Sequence, residues 1–167
     1  MRVLIAYATR YGSTAEVAEA IAETLRAAGF AADVRDVRTV REVNGYGAVV
    51  FGAPFYLARM LRSGRWFLRK HRLSLARLPV AAFVLGLSPA KAKQRRLERL
   101  LRKRPAIRPV SVGLFGGVVD RSKLRFRDRT PPIRRLPALV DERDWDAIRS
   151  WAAELPTKLF PRAPSPD

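Results

Sequence analysis

Residues 47–52, Gly-Ala-Val-Val-Phe-Gly, present no polar side chain to either side of an extended chain. A strand with one wet face alternates apolar and polar residues. A strand that is apolar throughout is covered on both faces, the situation in a parallel sheet flanked by helices. Arg2 to Tyr7 and Val80 to Leu87 have nearly the same character, and Val110 to Phe115 is a further short apolar run. Ala31 to Val37 alternates as a strand. Thr14 to Ala28 carries Val17, Ile21 and Leu25 at a spacing of four, a helical stripe. Ser63 to Arg72 reads as a basic helix and Lys91 to Lys103 as another, with Leu97, Leu100 and Leu101 to one side. Asp144 to Leu155 reads as a final helix with Trp145, Ile148, Ala152 and Leu155 facing inward.

Strands alternating with helices predict parallel strands joined by right-handed crossovers, with helices on both faces of the sheet. Ser13 followed by Glu16 fits a capping box at the start of the first helix, and Gly29 fits its stop. The weak points of the pattern are Thr39 to Tyr46, where a second helix has little room, and Gly116 to Val140. The latter, rich in Arg and Pro, reads as an irregular excursion. From Pro156 onward the chain reads as a loose tail, so the domain is expected to span residues 1–155.

Composition removes several kinds of chemistry. With 167 residues, 48% of them hydrophobic, the chain suits one globular domain with a sizeable core. No apolar run approaches the roughly 20 residues that cross a bilayer. Val3 to Ala8 is too short for the apolar core of a signal peptide, so a cytoplasmic location is expected. There is no Cys and one His, which excludes disulfides, thiolate nucleophiles, iron–sulfur ligation and an ordinary zinc site. His71, on the basic helix, reads as a surface or partly packed side chain rather than a catalytic one.

The net charge is +18, and it is unevenly spread. Residues 1–42 hold six basic and six acidic side chains, whereas residues 43–97 hold eleven basic ones and no acid. Such a field attracts anions: an anionic cofactor, an acidic protein, an acidic lipid surface or nucleic acid. Nucleic acid is disfavoured, because no helix-turn-helix, RNA-recognition or OB pattern accompanies the charge.

In open α/β sheets the ligand sits beyond the carboxyl ends of the strands, where strand order reverses. The first loop there is Thr9-Arg10-Tyr11-Gly12-Ser13-Thr14, which leads directly into a helix. Hydroxyls, a glycine and free amides at the positive end of a helix suit a phosphate. The loop has neither the G-x-G-x-x-G of dinucleotide binders nor the Gly-Lys-Ser/Thr of nucleotide triphosphatases, so a terminal phosphate monoester fits best. The same residues also suit an ordinary capped helix after a turn. The second loop, Ala53-Pro54-Phe55-Tyr56-Leu57, offers two aromatics as a wall for a flat ring, or as packing against Trp66 or the sheet. The third, Gly86-Leu87-Ser88, offers backbone groups to the polar edge of a heterocycle. Arg59 and Arg62 follow the aromatic loop and suit an anionic substrate as well as plain solvated charge.

These motifs resemble the flavodoxin-like flavoproteins, and among them the bacterial flavodoxin-domain proteins related to menaquinone-dependent protoporphyrinogen dehydrogenase. The resemblance is carried by Val3 through Thr14, by Gly52-Ala53-Pro54-Phe55-Tyr56, by Leu114-Phe115-Gly116-Gly117 and by Arg143-Asp144-Trp145-Asp146-Ala147-Ile148. It implies a three-layer, doubly wound α/β fold with a five-stranded parallel sheet in the order 2-1-3-4-5. It implies FMN as cofactor, its phosphate on Thr9 to Thr14 and its ring between Pro54 to Leu57 and Gly86 to Ser88. The function implied is that of an oxidoreductase or electron carrier, of the quinone- or porphyrinogen-linked dehydrogenase type, with the flavin as redox centre and no catalytic acid or base to name. Its partner would be a small molecule or a redox protein. Tyr11 stands where flavodoxins usually have Thr, and the charge of this chain is opposite to that of the acidic electron-carrier flavodoxins. An alternative reading is a flavodoxin-fold binding module with a weak or lost flavin site. It would act through the basic stretches Lys91 to Arg104 and Lys123 to Arg127 on an anionic membrane surface or an acidic partner. Peripheral contact with the inner face of the membrane and a homodimer both stay open at this point.

Overall fold

The computed structural model describes residues 1–56, 59–87, 94–95, 99, 107–129 and 131–161. Along the chain run β1 (Arg2–Tyr7), α1 (Ser13–Ala27), β2 (Ala31–Asp36), β3 (Ala48–Tyr56), β4 (Arg59–Met60), α2 (Arg62–Lys70) and α3 (Arg72–Leu75). There follow β5 (Val80–Leu85), β6 (Pro109–Phe115), β7 (Val118–Asp120), a 3-10 turn (Phe126–Asp128), α4 (Pro131–Arg134), β8 (Leu139–Asp141) and α5 (Trp145–Leu159).

The main sheet has the order β2-β1-β3-β5-β6, all parallel, which is 2-1-3-4-5 when its five long strands are counted in sequence. Period-two alternation sends each strand's side chains into two separate cores. Val3, Ile5, Ala48, Val50, Ala81, Phe83 and Leu85 meet α1 and α5 on one face. Leu4, Ala6, Val49, Phe51, Val80, Ala82 and Val84 meet Phe67, Leu68 and Leu75 of α2 and α3 on the other. The fully apolar runs are therefore apolar because both faces are dry.

Several expectations need correction. Ser13 does not cap α1. Gly12 is the cap, in the left-handed region at φ 94°, and no side chain bonds the helix end there. Gly29 does stop the helix: its N–H donates to Arg26 O and that of Phe30 to Leu25 O, the paired bonds of a Schellman turn. Thr39 to Tyr46 forms no helix; Val40 and Val43 are buried from a loop and close that side of the second core. The basic helix breaks at His71, giving α2 and α3, and His71 is buried against the Phe67 ring. The fourth long strand ends at Leu85.

The expected irregular excursion carries regular structure among its described residues: β7 and β8 pair antiparallel from Val118↔Asp141 to Asp120↔Leu139. The last helix runs through Pro156 to Leu159, so no tail begins at Pro156. A proline inside a helix costs about 3 kcal/mol. Here the turn beyond it is held by Leu159, 1% exposed, and by Phe160 stacked on Phe30 at 5.5 Å. The expected helix at Lys91 to Lys103 lies largely outside the described residues, of which Gln94, Arg95 and Arg99 are helical.

Candidate anion-binding site at the carboxyl edge of the sheet

The carboxyl ends of β1, β3, β5 and β6 lie side by side, with Tyr7 opposite Gly52, Pro54 opposite Leu85, and Leu85 opposite Phe115. The chain leaves β1 toward β2 on one side and returns to β3 on the other, so strand order reverses between β1 and β3. The amide of Ala8 donates to Gly52 O at 2.8 Å and fixes the start of the loop in that crevice.

The loop then turns into α1. Gly12 N–H donates to Thr9 Oγ1 at 2.9 Å, which occupies the Thr9 oxygen as acceptor and leaves its hydroxyl proton to give. Gly12 takes a positive φ that a side chain would oppose. Ser13 and Thr14 open the helix, where N–H groups have no acceptor within the helix. Ser13 is buried, and Thr14 is 0% exposed. Thr14 Oγ1 is buried without a hydrogen-bond partner among the described residues. A buried hydroxyl left unsatisfied costs about 1–3 kcal/mol. A helix N-terminus with such a hydroxyl beside it is built to receive an anion.

Arg10 and Tyr11 are engaged elsewhere. An Arg10 Nη lies 3.0 Å from Asp128 Oδ2. The Tyr11 hydroxyl donates to the same carboxylate and accepts from the Arg125 N–H at 3.3 Å. Burial, and then the bond to Asp128, hold the Tyr11 phenol above its ordinary range. A second tie lies nearby. Arg143, with its side chain 10% exposed, donates to Glu16 in the first turn of α1 and to Asp141 at the end of β8. Those bonds push the Arg143 guanidinium further up and hold the Asp141 carboxyl below its ordinary range.

The second expected loop is not a loop. Ala53-Pro54-Phe55-Tyr56 continues β3, and the chain folds back through β4 with Phe55 opposite Met60 and Tyr56 opposite Arg59. Phe55 is 6% exposed and belongs to the second core, so it is not free to wall a ring. Pro54 is buried as well. Leu57 lies outside the described residues. At the third loop Gly86 and Leu87 are half-buried beside Gly117, and Ser88 lies outside the described residues. A side chain at Gly117 would sit 3.1 Å from Gly86 N, and one at Gly116 would strike Glu142 O at 1.8 Å. Both glycines let the start of the excursion pass close to these segments.

Asp128 belongs to none of the motifs read from the sequence, and Arg143 was read only as part of the motif that opens the last helix, with no role at the loop. Asp128 is one of two acids in residues 116–140, surrounded by arginine, and that isolation is the signal that it has a dedicated partner. Among the described residues no His, Cys, Asp or Glu cluster is suited to a metal, and no helix is long and apolar enough to cross a membrane.

The fold and this crevice define a doubly wound α/β domain with a hydroxyl-lined loop-to-helix turn at its strand-order switch. The sequence model of the family described as Flavodoxin domain matches residues 4–132, and the chain belongs to that family. It is similar to protoporphyrinogen IX dehydrogenase [quinone] of Escherichia coli strain K12, with 28% identity over 136 residues, covering 77% of this chain and 75% of that protein. Among solved structures it resembles an archaeal flavodoxin (TM-score 0.60, 16% identity, 95% of this chain and 99% of that one). A mutant flavodoxin from Pseudomonas aeruginosa is comparable (TM-score 0.59, 19% identity, 95% and 99%).

Proposed function

We propose that the domain binds FMN and acts as an oxidoreductase or electron carrier with the flavin as its redox centre. The observation that carries this reading is the Thr14 hydroxyl, buried at the start of α1 and without a partner among the described residues. A protein tolerates that cost where a ligand repays it. The phosphate would be held by the amides of Ser13 and Thr14 and by the hydroxyls of Thr9, Ser13 and Thr14. Arg10 and Tyr11, committed to Asp128, are left out of that donor set. The ring would lie over the end of β3 and the turn after β5. Phe55, held in the second core, is left out of the ring contacts, and Tyr56, Leu57 and Gly86 to Ser88 stay the proposed flanking residues.

FMN, when bound, supplies the electron transfer; the protein supplies its orientation and its electrostatic surroundings. The likeness to a quinone-linked protoporphyrinogen dehydrogenase favours the dehydrogenase form of this reading. The surface beyond β4 favours an anionic substrate or partner. Arg62, Arg65, Arg69 and Lys70 are exposed along α2, and no acid occurs between residues 43 and 97.

The experiment is direct. Purified protein is expected to be yellow and to release FMN on denaturation, and saturating FMN should raise its melting temperature. Replacing Thr9 and Thr14 by Ala should weaken FMN far more than riboflavin, because the phosphate contacts are lost together with the Gly12 N–H bond to Thr9 that shapes the same turn. A colourless protein without measurable FMN affinity would overturn the reading.

A further inference from the structure

Asp128 sits 117 residues from Tyr11 in sequence, on the 3-10 turn of the excursion, yet its carboxylate is shared by Tyr11 and Arg10. The Arg125 N–H closes the same knot by donating to the Tyr11 hydroxyl. The Arg10 guanidinium also lies 5.8 Å from the Tyr11 ring centroid. Four groups from two distant segments are thus gathered beside the turn that ends at Gly12. The Asp128 side chain is 21% exposed, so its charge interacts in a partly dry setting where such bonds are stronger than at the surface.

This arrangement acts on the loop in two ways. It neutralises Arg10, the one cation of residues 9–14, so the loop offers an anion dipoles rather than a net charge. It also pins Tyr11, which immediately precedes the left-handed Gly12, and so fixes the turn that brings Ser13 and Thr14 to the helix start. Arg143 braces the far end of the excursion to Glu16 on α1. The excursion is therefore fastened to both sides of the loop-to-helix junction.

We propose that Asp128 is a positioning residue for the phosphate loop, acting through Tyr11 and Arg10. The excursion then belongs to the cofactor site although it supplies no donor to the phosphate. This inference rests on the FMN reading for its ligand, but the tether itself is a property of the flavin-free chain.

The test measures FMN and riboflavin affinity by quenching of flavin fluorescence, and amide hydrogen exchange of residues 9–14 in flavin-free protein. Asp128→Ala should weaken FMN about tenfold, the value of one charge-assisted hydrogen bond, with riboflavin changed less than twofold. Asp128→Asn keeps an acceptor for the Tyr11 hydroxyl and should recover most of the loss. Tyr11→Phe should reproduce part of the Asp128→Ala effect, since it leaves the Arg10 pair in place, and the double variant should be no worse than Asp128→Ala alone. Exchange at residues 9–14 should quicken in Asp128→Ala and not in Asp128→Asn. Unchanged FMN affinity in Asp128→Ala, equal loss of FMN and riboflavin, or additive single effects would each overturn the proposal. Wild-type protein that takes no FMN, while Asp128→Ala still loosens residues 9–14, would sink the cofactor reading and leave the tether standing.

Discussion

Arg143 Nη1 lies 2.5 Å from Glu16 Oε2, joining the second residue after β8 to the first turn of α1. The same guanidinium holds Asp141 at 2.6 Å and lies 4.7 Å from the centre of the Trp145 ring. Arg143 is largely buried, whereas Glu16 is 61% exposed, so loss of the arginine leaves its partners with water to turn to. Arg143→Met should therefore cost about 1–2 kcal/mol, below the range for a fully buried pair. The melting temperature should fall by roughly 2–8 °C in a domain of this size. Its effect should shrink in acid. The Asp141 carboxyl is held below its ordinary value of 3.8, so its share of stability is complete above that pH and is lost as pH falls through the lowered value. Melts of Arg143→Met and wild type that differ as much at pH 2.5 as at pH 7 would contradict this.

Thr14 gives a prediction of opposite sign for stability and binding. Val has nearly the shape of Thr without the hydroxyl, so Thr14→Val removes a buried polar atom that has no partner among the described residues. Flavin-free Thr14→Val should melt higher than wild type, by an amount on the order of 1 kcal/mol. It should gain less from saturating FMN. A lower melting temperature in the flavin-free state would show that the hydroxyl is satisfied within the folded chain.

Gly52 faces Phe83 across the β3–β5 pair, and a Cβ added there would stand 2.1 Å from the phenyl ring. Phe83 is fully buried and has no room to retreat. Gly52→Ala should destabilise by about 1–3 kcal/mol through overpacking, and Phe83→Leu in the same chain should recover part of it. Denaturant melts of the two single variants and the double variant check this. Strict additivity would mean that the ring is not the obstacle.

His71 is the one histidine of the chain, and it is buried against Phe67 with Nε2 unpartnered among the described residues. Burial, and then the neighbouring Lys70, push its imidazole below the ordinary 6.5. The unfolded chain therefore binds this proton more readily than the folded one. Stability should be constant above about pH 6.5 and decline as pH falls from there toward the lowered value. His71→Leu should remove that segment of the pH profile. A wild-type profile that is flat between pH 7 and 5, or one that His71→Leu leaves unchanged, would count against a buried neutral imidazole.

What the sequence determined by itself is whatever depends on near neighbours. Period-two and fully apolar runs placed the five long strands, and a spacing of four placed α1, because backbone geometry alone decides which side chains share a face. The strand order came from the resemblance to flavodoxin-like proteins, since right-handed crossovers narrow the possible orders without choosing one. The Thr9 to Thr14 loop was legible because its residues are consecutive. What only the tertiary structure decided is which distant segments meet. Phe55 suited a ring wall or packing against Trp66 or the sheet; β4 folds back to pair with it and the second core takes its ring. Pro156 looked like the end of order, yet Leu159 and Phe160 find partners on the first core and carry the helix past it. Asp128 reaches Tyr11 and Arg10 across more than a hundred residues, and no local periodicity encodes that approach. It exists because the crossovers return the chain after β6 to the edge of the sheet where the first strand ended.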